Sequence, residues 1–303
     1  YTVEYSADGG STWDTFGAAA SVEAGQKFAC ALLHDGSVKC WGLGGRLGLG
    51  DANNRGDAAG EMGNNLPAVD LGTGRTATAL SVNTDHACAL LDDGSVKCWG
   101  LGVNSGSGPG RLGQGSLSHI GDGPGEMGDN LPAIDLGTGR TATAVSAGGF
   151  HTCALLDNGN VKCWGSGNLL GQGNSSALGD EPGEMGDNLP AIDLGTGRTA
   201  TAVSAGYMHT CALLDNGSVK CWGFGNVGAL GQGNNSFLGN DPGEMGDNLP
   251  AIDLGTDRTA VAIATAHHSC ALLDDSSLKC WGLNAHGQLG QGHTNYLGDD
   301  PGE

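Results

Sequence analysis

The feature that most constrains the fold of this chain is a phrase that occurs five times. Cys-Ala-Leu-Leu opens it at residue 30 and again after steps of 58, 65, 58 and 59 residues, and Lys-Cys-Trp-Gly closes every copy. The two cysteines of a copy are ten residues apart, and the five copies use all 10 cysteines of the chain. A unit that repeats at this period is typical of repeat architectures, in which neighbouring units share a core.

Each copy predicts a β-hairpin with a disulfide across it. In residues 211–222, Asp-Asn-Gly lies between two apolar runs, which is typical of a three-residue turn with Gly217 in the left-handed conformation. This register pairs Leu213 with Val219 and places Cys211 opposite Cys221, at a non-hydrogen-bonded position where Cα atoms are about 4.5 Å apart. That separation suits a disulfide. The predicted pairs are Cys30–Cys40, Cys88–Cys98, Cys153–Cys163, Cys211–Cys221 and Cys270–Cys280.

Two alternatives for these cysteines are a metal site and a core of free thiols. One cysteine pair cannot supply four tetrahedral ligands without a second pair nearby. We favour disulfides because the register fits in every copy, and stable disulfides indicate an extracellular or cell-surface location. Ser276 stands where the other four copies have glycine, so we expect the last turn to be strained or of another type.

Composition narrows the class of protein. Gly accounts for 58 of 303 residues, which favours short strands and tight turns over long helices. The formal net charge is −20, and such a chain repels phosphate backbones, so we expect no nucleic-acid partner. No apolar run is long enough for a transmembrane helix, so we expect no membrane insertion.

A second, acidic phrase lies between the hairpins. Gly-Glu-Met-Gly begins at residues 60, 125, 183 and 243, and its first two residues recur as Gly302-Glu303, so we expect the chain to be a piece of a longer protein. Clustered loop carboxylates suit Ca²⁺, although no EF-hand pattern is present. The alternative is an acidic surface loop in which Asn and Asp make local turns. We expect that no cofactor is required. The candidate Ca²⁺ ligands are Asp122, Glu126, Asp129, Asp180, Glu184, Asp187, Asp241, Glu244 and Asp247.

Other repeated polar residues favour structural roles. A histidine stands two residues before the first cysteine in four copies, and Phe28 replaces it in the remaining copy, so we interpret these histidines as packing residues rather than a ring of metal ligands. An arginine follows the acidic phrase at one fixed offset, and we expect it to pair with a repeated aspartate. Asn174, Asn216 and Asn234 lie in Asn-x-Ser sequons, which are glycosylation sites if the source is a eukaryote.

The phrase in residues 147–165, with the Gly-Gln-Leu-Gly turn at 287–290, resembles the regulator of chromosome condensation repeat. The resemblance covers residues 21–303 and implies an all-β fold, a β-propeller of four-stranded blades built from five repeats of about 58 residues. The chain departs from that family in its cysteine pairs, in its acidic phrase and in having five hairpins where the family usually has seven blades. We therefore do not expect this chain to share the nucleotide exchange activity or the chromatin contacts of the founding member of that family.

Residues 1–20 lie outside the repeat. Ser-Ala-Asp-Gly-Gly-Ser-Thr-Trp at 6–13 resembles the Asp-box hairpin of sialidase-type propellers, a structural motif, and residues 1–5 alternate as a strand does. We expect this segment to be the end of a preceding domain or a strand that closes the ring.

We expect a protein without enzymatic activity, because every candidate acid is a repeated one and no nucleophile or phosphate-loop motif is present. The leading hypothesis is an extracellular scaffold that assembles with itself. The alternative is a secreted binding module or inhibitor that recognises a protein or a glycan. Three loop segments differ between repeats and separate the two hypotheses: 102–121, 166–177 and 224–238. If they cluster on one exposed face, a binding module is favoured. If neighbouring copies of the chain pack through them, a scaffold is favoured.

Overall fold

The computed structural model describes residues 2–5, 14–103 and 108–303, and over this part the chain is almost entirely strand and turn. The strands β1 to β16 are, in order, Thr2–Tyr5, Asp14–Ala24, Phe28–Leu33, Val38–Gly42, Ala77–Val82, His86–Leu91, Val96–Gly100, Ala142–Ala147, His151–Leu156, Val161–Gly165, Ala200–Ala205, His209–Leu214, Val219–Gly223, Ala260–Thr265, His268–Leu273 and Leu278–Gly282. Single-turn 3-10 helices occupy Gly63–Asn65, Gly128–Asn130, Gly167–Leu169, Gly186–Asn188, Asn226–Gly228 and Gly246–Asn248. Among these residues no helix has the length and apolarity to cross a membrane.

Three consecutive antiparallel strands form each blade. Blade 1 contains β2, β3 and β4, and the following blades contain β5–β7, β8–β10, β11–β13 and β14–β16. In addition, β1 pairs with the first part of β2, where Glu4 lies opposite Thr15. The strand expected near the N-terminus is therefore present, whereas the Asp-box-like residues 6–13 lie outside the described residues.

Four-stranded blades are not confirmed for the repeats: the sheets of blades 2 to 5 have three strands each, and the sheet of blade 1 has a fourth strand, β1. The segment that would form a fourth strand pairs at a single bridge in every blade, as Leu178 does with Gly165 and Leu238 does with Gly223. The next residue is a glycine at a φ of about +90°, a region that other residues rarely adopt, so the backbone turns away after one pair. These glycines are Gly56, Gly121, Gly179, Gly239 and Gly298.

The hairpin register predicted from the sequence is confirmed. Cys211 lies opposite Cys221 and Leu213 opposite Val219, and the turn closes with the N–H of Leu214 donating to Ser218 at 2.9 Å. All five cysteine pairs form disulfides, with Cα atoms 4.0–4.1 Å apart. The four pairs of blades 1 to 4 are fully buried.

The apolar core lies between adjacent blades. In one cluster, Val161 and Cys163 of blade 3 pack with Leu214 and Trp222 of blade 4 and with Leu249 of the acidic phrase that follows. Equivalent clusters join blades 1 and 2, 2 and 3, and 4 and 5. Each blade therefore buries its apolar face only against its neighbour, as expected of a repeat protein.

The last hairpin turn is strained, as its sequence predicts. Ser276 has a φ of +67°, in the left-handed region where glycine occupies the equivalent turn of the other blades. At Gly217, whose φ is +77°, an added Cβ would lie 2.6 Å from Cβ of Thr259 in the next blade. Glycine is therefore required there both by the backbone conformation and by the approach of the neighbouring blade.

We expect Ser276→Gly to raise the free energy of unfolding by about 1 kcal/mol, because it removes a left-handed non-glycine residue. The matched change Gly217→Ser should lower it by at least about 1–2 kcal/mol, since it adds the same strain and a contact with Thr259. Urea unfolding of both variants measures these differences. Equal effects in the same direction would contradict the assignment of the strain to these turns.

Candidate functional site

Two loops meet at the same end of blades 1 to 4. In blade 4 the N–H of Phe224, after the last strand, donates to the carbonyl of Met208, before the middle strand, at 2.9 Å. In blade 3 Ser166 donates in the same way to Phe150 at 3.0 Å. Because the hairpin turns lie at the other end of these strands, the loops form a separate surface, which we call the loop face.

The loop face carries a row of rings that crosses three blades. Phe150 of blade 3 contacts Tyr207 of blade 4 edge-on, with centroids 5.1 Å apart, and Tyr207 contacts His267 of blade 5 at 4.3 Å. Phe150 and Tyr207 are partly exposed and His267 is exposed. We call these three residues the aromatic row, and their accessible ring surfaces are of the kind that proteins use to bind partners.

Charged residues continue the row onto blades 1 and 2. The guanidinium of Arg46 contacts the carboxylate of Asp85 at 2.8 Å, and Arg111 lies 3.8 Å from the same carboxylate. Arg111 is fully buried, donates to the carbonyl of Gly149 at 3.2 Å and lies 5.6 Å from the centroid of Phe150. This buried cluster holds one end of the aromatic row in place.

A pocket of about 210 Å³ opens beside the aromatic row, between blades 4 and 5. Its lining is mostly apolar and includes Tyr207 and His267 from the row and Phe224 and Val227 from the loop after blade 4. Phe224 is supported by Phe237 from the same loop, at a ring distance of 4.6 Å. A pocket of this size accepts one large side chain of a partner.

The backbone is strained at the wall of this pocket. Val227 has a φ of +55°, a conformation that is a true outlier for a β-branched residue. Such strain costs on the order of 1–3 kcal/mol and is concentrated at functional sites. It therefore adds an independent reason to regard the pocket as a site.

The sequence identified part of this site. Of the variable segments, 224–238 contributes Phe224 and Phe237 to the loop face, whereas Leu169 and Leu170 of 166–177 are buried in the core. Sequence reasoning missed Phe150, Tyr207 and His267. The available signal was that the residues just before the repeated histidine differ in every copy, although the histidine itself is kept in four of the five copies.

The repeated histidines join adjacent blades. Nε2 of His86 lies 2.8 Å from the hydroxyl of Thr152, which donates its own proton to the carbonyl of Arg111. The hydroxyl must therefore accept from His86, so Nε2 carries the proton. His151 and His209 make the same contact, at 2.7 Å, with Thr210 and Ser269 of the next blade.

Burial keeps these histidines neutral. Desolvation is the main cause that lowers the pKa of His151 from 6.5 to about 3 and that of His209 to about 4. It also lowers the pKa of His86 well below 6.5. They are packing residues, as the sequence indicated, and over the described residues no group of three or more His, Cys, Asp or Glu could hold a metal.

The carboxylates considered for Ca²⁺ accept hydrogen bonds from the protein. Asp187 accepts from the backbone N–H of Thr138 at 2.8 Å and from its hydroxyl at 2.6 Å, and Glu184 accepts from Gly179 at 2.8 Å. The threonine contact recurs at two other aspartates, Asp129 and Asp247. The glycine contact recurs at two other glutamates, Glu126 and Glu244. Ca²⁺ binding stays a prediction of the sequence.

The first aspartates of the phrase, Asp122, Asp180 and Asp241, lie in the loops that these glutamates organise. One oxygen of Asp180 is buried, and desolvation, with the nearby carboxylate of Glu184, raises the pKa of Asp180. Ionised Asp180 would therefore be a second negative charge beside the carboxylate of Glu184, and that charge is unfavourable in this loop.

The remaining predicted residues lie at the surface. The repeated arginines pair with aspartates of the hairpin turns, as Arg198 does with Asp215 at 3.1 Å, and both side chains are 37% exposed. Asn174, Asn216 and Asn234 are exposed, and each side chain accepts from the backbone N–H two residues later. Asn216 lies in a hairpin turn, and glycosylation of the three asparagines stays a prediction of the sequence.

A family model, the regulator of chromosome condensation (RCC1) repeat, matches the chain at residues 19–46, 77–106, 142–172, 200–229 and 259–288. The mitochondrial RCC1 domain-containing protein RUG3 of Arabidopsis thaliana is 31% identical over 264 residues, which are 86% of this chain and 53% of RUG3. The ultraviolet-B receptor UVR8 of the same plant is 28% identical, over 89% of this chain and 54% of the receptor. The chain thus spans about half the length of these relatives.

Solved structures support the same fold. Yeast RCC1 (Prp20), in a crystal structure bound to Kap60, superimposes with a TM-score of 0.63 at 20% identity, over 87% of this chain and 55% of the yeast protein. Human WBSCR16 gives a TM-score of 0.58, also at 20% identity, over 84% and 58% of the two chains. At this identity the likeness concerns the fold alone.

We expect acid to destabilise the protein through its buried histidines. The pKa of His209 is lower in the folded protein than the 6.5 of an ordinary histidine, so below pH 6.5 the unfolded chain binds more protons. The stability is present above pH 6.5 and is lost as the pH falls towards about 4. The loss is on the order of 3 kcal/mol for this residue.

The free energy of unfolding, measured between pH 7.5 and pH 4 by urea titration, tests this expectation. His209→Gln should flatten the pH dependence, whereas the exposed His286→Gln should leave it unchanged. A slope that is identical in the wild-type and His209→Gln proteins would exclude His209 as its source.

Proposed function

We propose that this chain, which belongs to the regulator of chromosome condensation repeat family, is a non-catalytic protein-binding module that holds its partner on the loop face. The observation that carries the proposal is the contrast between the blades and this face. Disulfides, buried histidines and acidic phrases repeat from blade to blade, whereas the aromatic row and its pocket occur once among the described residues. A unique, partly apolar surface on a repeated frame is suited to one specific partner.

The chemistry of the surface favours a protein over other partners. Tyrosine and phenylalanine rings with a pocket beside them provide the apolar anchor positions of protein interfaces. The net charge of −20 disfavours nucleic acid and favours a partner with a basic rim around its anchor. A glycan remains the second choice, because aromatic faces also stack on sugar rings.

The polar groups of the repeat support a role without catalysis. The buried histidines are neutral and bonded to hydroxyls, and the phrase carboxylates accept backbone hydrogen bonds. A general acid or base needs a pKa near the working pH and access to substrate, and His151 and His209 have neither.

The relatives offer precedents for binding, although each precedent belongs to its own protein. Yeast Prp20 was crystallised bound to Kap60, and its binding to Gsp1p and histones has been described. UVR8 is a receptor for ultraviolet-B. From these precedents we take only that the face of a propeller can be a binding surface. We do not assign the partners of those proteins to this chain.

We propose that the module works in an oxidising, extracellular or cell-surface setting. Its ten cysteines form five disulfides, and no described cysteine is free. Disulfides of this kind persist outside the reducing cytosol and are rare within it.

A self-assembling scaffold is the second candidate. It is favoured by the near-identity of the contacts between successive blades, which a further blade could continue. In that case the loop face would contact other copies of this chain rather than a different protein.

Site-specific photo-cross-linking distinguishes these candidates. A benzophenone amino acid at Phe237 places the probe on the loop face, and the same probe at the exposed turn residue Asn216 places it at the opposite end of the blade. In extracellular fluid of the source organism, the binding module predicts one saturable adduct with a different protein from position 237 and none from position 216.

Competition shows whether that adduct is specific. Unlabelled wild-type chain should compete for it, whereas the Tyr207→Ala chain should compete at least about tenfold less well because the row loses its central ring. Adducts between copies of the chain would favour the scaffold. Equal yields of the adduct from both probe positions would contradict the assignment of the loop face as the binding surface.

A further inference from the structure

The turn after each blade has one variable position that faces the next blade. Every such turn contains Leu-Gly, and the residue before the leucine is, in blades 1 to 5, Arg46, Arg111, Leu169, Ala229 and Gln288. Arg111 and Ala229 occupy equivalent places in the fold, because the carbonyl of each accepts from the indole N–H of the next blade, Trp164 at 3.0 Å and Trp281 at 3.1 Å. The two blade junctions can therefore be compared side chain by side chain.

Between blades 2 and 3 an arginine side chain lies in this place. Arg111 is fully buried, and its guanidinium lies 5.6 Å from the ring centroid of Phe150, which stands immediately before the repeated histidine of blade 3. Between blades 4 and 5, Ala229 and His267 stand at these two positions, and both line the pocket of about 210 Å³ beside the aromatic row. That pocket, which we call the slot, thus lies where the chain itself places an arginine two blades earlier.

Rings from both blades line the slot. Tyr207 and Phe224 come from blade 4, and His267 comes from blade 5. A sphere of the same volume has a radius of about 4 Å, so a cation inside it lies within the ~6 Å over which ring faces attract cations. Val227 and Leu283 add aliphatic groups, which suit the methylene stem of an arginine.

The charge distribution favours a cation in the slot. No Lys, Arg, Asp or Glu stands among the described residues that line it. None stands in the loops of blades 3 to 5 on this face, which are 148–150, 166–177, 206–208, 224–238, 266–267 and 283–296. The surrounding residues 179–303 contain 16 Asp or Glu and only four Lys or Arg. A guanidinium would therefore meet no lysine or arginine in the slot and would be attracted by the negative charge of the surrounding repeats.

Arginine fits the slot better than lysine does. A guanidinium is planar, is more weakly hydrated than an ammonium and stacks on ring faces. The fully buried Arg111 lies 3.8 Å from the carboxylate of Asp85, whereas Met208 stands at the equivalent position of blade 4. The slot borders the exposed residues Asn226 and His267, so the edge of a bound guanidinium keeps its water and needs no buried carboxylate.

We propose that the partner protein inserts one arginine side chain into the slot, at the place that Arg111 occupies between blades 2 and 3. The proposal rests on the loop face as the binding surface and names the side chain that anchors the partner there. The chain supplies this arginine itself after blade 2, and the partner supplies it after blade 4, where Ala229 ends at its Cβ atom.

Methionine NMR measures occupancy of the slot with N-acetyl-arginine amide as the probe. The full chain, labelled with ¹³C at the methionine methyl groups, has one reporter in the slot, Met208. The other four methionines lie in the acidic phrases and serve as internal controls: Met62, Met127, Met185 and Met245. We expect the Met208 signal alone to shift saturably, with a Kd below about 10 mM.

A neutral probe tests whether the charge matters. N-acetyl-citrulline amide has nearly the shape of the arginine probe without its charge, and it should bind at least about fivefold more weakly because the rings attract a cation. An unmoved Met208 signal at about 50 mM arginine probe would overturn the proposal. Equal binding of the two probes would overturn it as well, because the slot would then accept a neutral side chain.

Variants of the turn locate the probe. Ala229→Arg should abolish the response of Met208 because it fills the slot from within the chain. Ala229→Leu, which gives blade 4 the residue of blade 3, should do the same without adding charge. The matched change Gln288→Leu alters the same turn position of blade 5, outside the lining of the slot, and should leave the response unchanged.

The four control signals show whether each variant is folded. A response of Met208 that persists in both folded Ala229 variants would place the probe elsewhere and overturn the assignment. Phe224→Leu keeps an apolar side chain but removes a ring, and it should weaken binding of the arginine probe at least about threefold. Unchanged binding by this variant would contradict recognition by the rings.

The cross-linking experiment separates this proposal from that of the loop face. The Ala229→Leu chain should compete for the adduct from position 237 at least about tenfold less well than wild type, because the partner's arginine cannot enter. Equal competition would overturn the arginine anchor and leave the loop face as the binding surface. A Met208 response without any adduct would support the slot and contradict the loop-face proposal.

Discussion

The structure depends on one buried ammonium group at each of the three interfaces between blades 2 and 5. Lys97, Lys162 and Lys220 are each 8% exposed, and each donates to carbonyls from two successive acidic phrases. Burial lowers the pKa of Lys162, while the carboxylates of Asp187 and Asp135 raise it. A buried charge is costly unless its hydrogen bonds are made, so the lysine is satisfied only when both phrases are in place. Hairpin, preceding phrase and following phrase therefore form one unit.

Local sequence predicted local structure well. The hairpin register, the five disulfides and the strain at Ser276 follow from turn chemistry and alternation over about a dozen residues, where few conformations compete. The number of strands in a blade could not be obtained in this way. It depends on the backbone conformation of the glycine after the bridging residue, and the sequence does not show that this glycine takes a φ of about +90°.

The candidate site was predictable only in part, for a related reason. Phe224 and Phe237 stand out as large apolar residues in a variable loop, and they do meet. Phe150 and Tyr207 lie 57 residues apart in the sequence and come together only because adjacent blades place equivalent loops side by side. The phrase aspartates suggested a cation because their donors belong to another repeat, as Thr138 does for Asp187, and the sequence does not show which repeats touch.

The direction of the histidine contacts has a consequence for how such a chain changes over time. His86, His151 and His209 each reach forward, from one blade to a hydroxyl of the next, and the phrase aspartates reach back to a threonine of the previous phrase, as Asp187 does to Thr138. Each interface is thus formed by two successive repeats alone: the side of one blade that faces the next, and the side of the next blade that faces back. Unequal recombination between gene segments that encode whole repeats would insert or delete blades without inventing an interface. The length of the array can therefore drift in whole units, whereas a partial repeat leaves a buried lysine with half of its partners.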